Sequence, residues 1–153
     1  LPILRFPDPR LKKIAAPVTK IDDSIRKLIA DMAETMYEAP GIGLAATQVD
    51  VHKQVVVIDI SEDRNDLLAL INPCLDNFQG QQEGEEGCLS VPGIFEKVER
   101  AEQVTVHYQD IDGQVRKLVA DGLLAQITNA RLDQIADKKL LQVGACQRKA
   151  FPA

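Results

Sequence analysis

The sequence has no tryptophan, two histidines and few aromatic residues of any kind, 4% in all. A core must therefore be built mostly from Val, Ile, Leu and Ala. No apolar run approaches the ~18 residues a membrane span needs, so no membrane partner is expected. Basic residues are outnumbered by acidic ones. The net charge of −5 and a pI near 5.0 argue against a nucleic-acid binder, which carries a basic face. The three cysteines, Cys74, Cys88 and Cys146, include no Cys-x-x-Cys pair and do not read as a disulfide framework. That points to a reducing, cytoplasmic setting. The opening Leu1-Pro2-Ile3-Leu4-Arg5 lacks the cationic and long apolar regions of a signal peptide.

What is present suits one α+β domain over residues 1–153. Hydrophobic residues at 45% and charged residues at 27% are an ordinary globular mixture. A chain of this length buries roughly 70% of its unfolded surface and needs no staple to fold. Pro2, Pro7, Pro9 and Pro17 make the first segment extended and irregular. Asp22-Asp23-Ser24 offers an N-cap, and Ile25, Leu28, Ile29, Met32 and Met36 follow at helical spacing. The predicted helix stops near Glu38, before Pro40-Gly41. The run from Gln54 to Ile60 is too continuously apolar for an exposed edge strand. Leu67–Ile71 reads as another strand, closed by Asn72-Pro73, and Asn77–Gly87 as a polar loop. Val104, Val106 and Tyr108 alternate with Thr105 and His107, as in a half-buried strand. Asp112-Gly113 reads as a tight turn into Val115–Val119. Asp121 is placed to cap a last helix, with Leu124, Ile127, Ile135 and Leu140 buried and Gly144 as its stop.

Two motifs carry possible chemistry. In Gly41-Ile42-Gly43-Leu44-Ala45-Ala46-Thr47-Gln48, the glycines permit close approach of another backbone, and the Gln48 amide can donate to a developing oxyanion. Read alone, the stretch is a glycine-rich turn. In Glu85-Glu86-Gly87-Cys88-Leu89-Ser90, the cysteine is a possible metal thiolate or nucleophile. The neighbouring carboxylates raise a thiol pKa and disfavour an unassisted nucleophile. Read alone, Cys88 is a small buried hydrophobe.

Taken together, the two motifs resemble signature stretches of the peptide deformylases, Gly-x-Gly-Leu-Ala-Ala-x-Gln and Glu-Gly-Cys-Leu-Ser. Ile3–Leu11, Met32–Tyr37 and Ala120–Ala125 resemble bacterial members as well, so the likeness runs from residue 1 to about Ala125. The resemblance implies an α+β fold with antiparallel strands packed around a central C-terminal helix. It implies metal-dependent hydrolytic removal of the formyl group from the N-terminal formyl-methionine of newly made polypeptides. The metal would be Fe(2+), with Zn or Ni able to substitute, and Cys88 would be one of its ligands. Gln48 and the Leu89 N–H would hold the oxyanion. Gly41, Ile42, Gly43 and Glu86 would bind the formyl-methionyl peptide, which docks as an added strand. The ribosome is the further partner this implies.

The resemblance fails where the family's third motif, His-Glu-x-x-His, should fall. Residues 130 to 134 are Ala130-Arg131-Leu132-Asp133-Gln134, without either histidine or the glutamate. Alanine has no donor atom, and a glutamine oxygen is a poor ligand for a soft or borderline metal. Arg131 is a fixed cation where a proton acceptor is needed. One thiolate does not make a catalytic site that normally has three protein ligands. His52 and His107, the only histidines, read as exposed residues beside or on strands. Asp133 matches a family aspartate that pairs with an arginine before the next strand, here Arg100. Two readings stay open: an altered tail on an active lineage, or an inactive relative that binds Met-starting peptides without cleaving them.

Overall fold

The computed structural model describes the backbone of residues 1–88 and 91–135, and the side chains of these residues except 84–88, 91–99 and 134. Leu140 and Gly144, expected in and after the last helix, lie outside the described residues.

Helix α1 spans Asp23–Glu38. Its N-cap is Asp22, whose carboxylate accepts from the Ser24 and Ile25 N–H groups at 3.1 and 3.3 Å. The helix ends where Pro40 removes a donor, and the Gly41 N–H returns to the Met36 carbonyl at 2.7 Å. Its buried stripe is Ile25, Ile29, Met32 and Met36. These pack on Leu44, Val55, Val57 and Ile71.

Those partners belong to a five-stranded antiparallel sheet in the order β1-β2-β3-β6-β7. The strands are β1 (Gly43–Ala45), β2 (Val55–Ile58), β3 (Leu68–Gln79), β6 (Gln103–Gln109) and β7 (Val115–Asp121). A separate pair joins β4 (Gln82–Cys88) to β5 (Val91–Arg100). Successive side chains of a strand point to opposite faces. Val55 and Val57 accordingly face α1, while Val56 and Ile58 face a second core. That core is closed by helix α2 (Gly122–Ile135) through Ala125, Ile127, Leu132 and Ile135. Burial on both faces explains why β2 reads as an unbroken apolar run. The antiparallel strands packed around the C-terminal helix are the expected α+β arrangement.

Several expectations need correction. Asn72-Pro73 does not close a strand. β3 runs through it, and a register shift between Ile71 and Cys74 takes up the proline's missing donor. Asn72 adopts φ 51 there, and its buried amide clamps both Val18 backbone groups and Gln109. The polar stretch from Asn77 to Gly87 is not a loop but the end of β3 and most of β4. Strand pairing overrode its glycine-rich, acidic composition. Thr105 is 3% exposed rather than facing solvent. His52 precedes β2 and His107 lies on β6. Both are half-buried, and each sits about 3 Å from a carboxylate, Asp50 at 3.0 Å and Asp76 at 3.1 Å. Cys74 is disulfide-bonded, against the expectation of no disulfide framework. Spacing along the chain does not tell which cysteines meet in space. The turn around Asp112-Gly113 spans residues 110–114 and is tied by the Asp110 carboxylate, which accepts from the Asp112 and Gln114 N–H groups.

Candidate functional site

The Gly41–Gln48 stretch forms the outer edge of the sheet and the turn behind it. The Asp59 N–H donates to the Ile42 carbonyl at 2.9 Å, which makes Ile42 and Asp59 a hydrogen-bonded pair. In an antiparallel ladder such pairs alternate with pairs whose backbone groups point away. Gly43, opposite Ile58, thus turns its N–H and C=O off the edge of β1. The next outward N–H is that of Ala45, and the Gln48 side chain takes it through Oε1 at 3.0 Å.

Gln48 lies in a 3-10 turn, Ala46–Val49, and is fully buried. A second donor reaches the same oxygen from α2, the Arg131 Nη1 at 3.3 Å. Two donors on Oε1 fix the orientation of the amide, with Nε2 as its donor end. Arg131 is 3% exposed. Its stem crosses Gly43 so closely that a β-carbon there would lie 3.2 Å from Arg131 Cγ and 3.2 Å from Ile127 Cγ1. The glycine at residue 43 is therefore a matter of space. The structure brings Arg131 of α2 together with Gly43 and Gln48, which lie on neighbouring elements more than 80 residues earlier in the chain.

Of the other predicted site residues, Gly41 and Ile42 lead into β1, with Ile42 39% exposed. Glu86 and Cys88 lie on β4, their backbones paired with Glu96 and Val91. Their side chains, and Leu89 altogether, are outside the described residues. Ala130 is buried in α2. Asp133, three residues on, pairs with Arg100 at 2.6 Å, both side chains 18% exposed. The helix keeps the anchor expected of it. Sequence reading missed Asp59, which proves to be the best-bonded carboxylate near the edge. Its one signal is an acid at the end of an apolar run.

A metal does not fit the residues at the expected position. Ala130 offers no donor atom, and beside it stands a guanidinium already directed to Gln48. Among the described residues, no three His, Cys, Asp or Glu side chains gather in a way that suits a metal ion. No helix among them is long and apolar enough to cross a membrane.

Comparison with known proteins gives consistent matches. The polypeptide deformylase family model matches residues 1–143, past the altered motif. The peptide deformylase of Nitrosococcus oceani is 58% identical over 138 residues, covering 90% of this chain and 83% of that protein. The peptide deformylase 1 of Burkholderia multivorans is 54% identical over 143 residues, covering 93% and 79%. Among solved structures, the peptide deformylase of Synechococcus elongatus in complex with actinonin superimposes with a TM-score of 0.86 at 40% identity. The match covers 100% of this chain and 89% of that one. That of Legionella pneumophila gives 0.85 at 45% identity, covering 88% and 79%.

Proposed function

Because this chain belongs to the polypeptide deformylase family, we propose that it docks the formylated, methionine-starting ends of new polypeptides along β1 and, with Ala130 and Arg131 where the third motif should fall, does not hydrolyse them. The family's reaction is metal-dependent hydrolytic removal of that formyl group. The observation that carries the reading is Arg131, a buried guanidinium on the Gln48 amide at a position where hydrolysis needs a proton acceptor. The docking half of the site is supported by the outward backbone groups of Gly43 and the exposed Ile42. An extended peptide added there gains main-chain hydrogen bonds from the edge strand. Gln48 Nε2 then serves as an amide donor toward the formyl oxygen. The assignments of Cys88 as the family's thiolate, of the Leu89 N–H as a second donor and of Glu86 as a peptide contact come from the motif. So does the choice of Fe(2+), with Zn or Ni as substitutes. The cytoplasm and a position near the ribosome follow from the same reading.

Hydrolysis of formyl-Met-Ala-Ser and metal content, measured together on protein of verified mass and C-terminal sequence, test it. The expected result is substoichiometric metal, no turnover, and saturable calorimetric binding of the peptide. Stoichiometric metal with robust turnover would overturn the proposal and favour the hydrolytic reading.

A further inference from the structure

We infer that Asp59 is a positioning residue for the docking edge, holding Ile42 inward and so turning the Gly43 backbone outward. This rests on the docking reading above. Asp59 is 3% exposed, yet its carboxylate collects four donors. The Tyr37 hydroxyl donates to Oδ2 at 2.6 Å, and the Asp66 N–H to the same oxygen at 3.1 Å. The Ser61 N–H and hydroxyl donate to Oδ1 at 2.9 and 2.5 Å. One buried charge thus ties the last turn of α1 to the loop after β2. Arg64 of that loop adds a bond to the Tyr37 carbonyl at 3.0 Å.

The main chain of the same residue does the positioning. Its N–H on the Ile42 carbonyl is a rung of the ladder between β1 and β2. By the alternation of the register, the next rung is Leu44 with Val57. So short an edge strand has few rungs, and the one at Asp59 is nearest the glycines. The other end of this link is fixed by the Gly41 N–H on Met36, one residue before Tyr37. The Asp59 carboxylate therefore joins the two supports between which Gly41–Gly43 is stretched. An amide at residue 59 has the same shape but one acceptor oxygen, so it fails to receive donors on both sides.

The test compares Asp59→Asn and the milder Tyr37→Phe with Asp110→Asn, which loosens a carboxylate-tied turn at the far edge of the sheet. Two quantities are read on folded protein: hydrogen exchange at the residue 59 amide, and the dissociation constant of formyl-Met-Ala-Ser. In Asp59→Asn the amide should exchange about tenfold faster or more, and the peptide should bind about tenfold more weakly. Tyr37→Phe should shift both in the same direction by less, and Asp110→Asn neither. Faster exchange with unchanged peptide affinity would reduce Asp59 to a structural clamp and overturn the positioning role. Unchanged exchange in both Asp59→Asn and Tyr37→Phe would overturn the clamp itself. If the parent chain binds no peptide, the docking reading falls by that result alone, and the exchange arm still decides whether Asp59 holds the edge.

Discussion

Replacing Gly43 by alanine tests whether the Arg131 stem lies against β1. The new β-carbon would stand 3.2 Å from Arg131 Cγ, 3.2 Å from Ile127 Cγ1 and 3.5 Å from Arg131 Cδ. Carbon atoms attract best at about 3.5–4.0 Å, so the two shortest contacts are repulsive. Neither obstacle is a free side-chain end. Arg131 Cγ is close to the helix backbone, and a β-branched isoleucine in a helix has little rotamer freedom. Overpacking of this kind costs about 1–3 kcal/mol. Alanine offsets about 0.4–1 kcal/mol by restricting the unfolded chain. The net expectation is a loss of about 1–2 kcal/mol in stability. Truncating Arg131 to alanine removes two of the three contacts. In that background the Gly43→Ala penalty should fall by about 1 kcal/mol, well beyond the ~0.5 kcal/mol within which independent sites add. Urea unfolding of the parent, the two single variants and the double variant, with m-values checked for constancy, gives the coupling. Equal Gly43→Ala penalties with and without Arg131 would refute the placement of the guanidinium stem.

Breaking the Arg100–Asp133 pair by Asp133→Asn should cost about 2 kcal/mol, less than a fully buried pair because both side chains keep some solvent contact. Unfolding midpoints of Asp133→Asn and Arg100→Met check this, and no loss in either would mean the pair is idle. At Asn72, alanine and glycine both leave the Val18 groups without their side-chain partner, for about 1–3 kcal/mol. Alanine should cost roughly 1–2 kcal/mol more, since φ 51 suits glycine. Equal losses would refute the backbone argument. Burial and the bond to Asp59 push the Tyr37 hydroxyl up to about 12. A group raised in the folded state contributes stability that is present below its ordinary value and lost as pH rises through the folded one. The parent should therefore lose stability relative to Tyr37→Phe between about pH 10 and 12. Burial raises the Asp59 pKa, but the bonds from Ser61 and Tyr37 outweigh it and hold the group below the usual carboxylate range. Its contribution is present above that range and lost as pH falls below it. Unfolding midpoints at both pH extremes, for the parent and Tyr37→Phe, measure the two effects.

Much of the fold is legible in the sequence because its signals are local. α1 is readable to its last residue, since the Asp22 cap, the apolar stripe and Pro40 all lie within a few turns of one another. β2 and β6 are readable from continuous or alternating apolar residues. Sequence reasoning fails where a partner strand decides the outcome. Asn72-Pro73 signals a stop, yet β3 passes through it because β6 continues to pair beyond the bulge. The stretch from Asn77 to Gly87 has loop composition, and its strand state depends on pairing with residues as far on as Arg100 and Gln103.

The candidate site divides in the same way. The family, the glycines of the β1 edge, the amide at Gln48 and the want of a metal-ligating or proton-accepting group at Ala130 and Arg131 are all legible in the sequence. These follow from residue identity and need no geometry. What the side chains at these positions touch is visible only in the fold. Arg131 reaches Gln48 across 83 residues of chain, and its stem fills the space over Gly43. Asp59, an inconspicuous acid in the sequence, gathers donors from α1 and from its own loop. The physical reason is common to both. A side chain's chemistry is carried by its identity, but which groups it meets is set by long-range packing, and that packing leaves no periodic mark on the sequence.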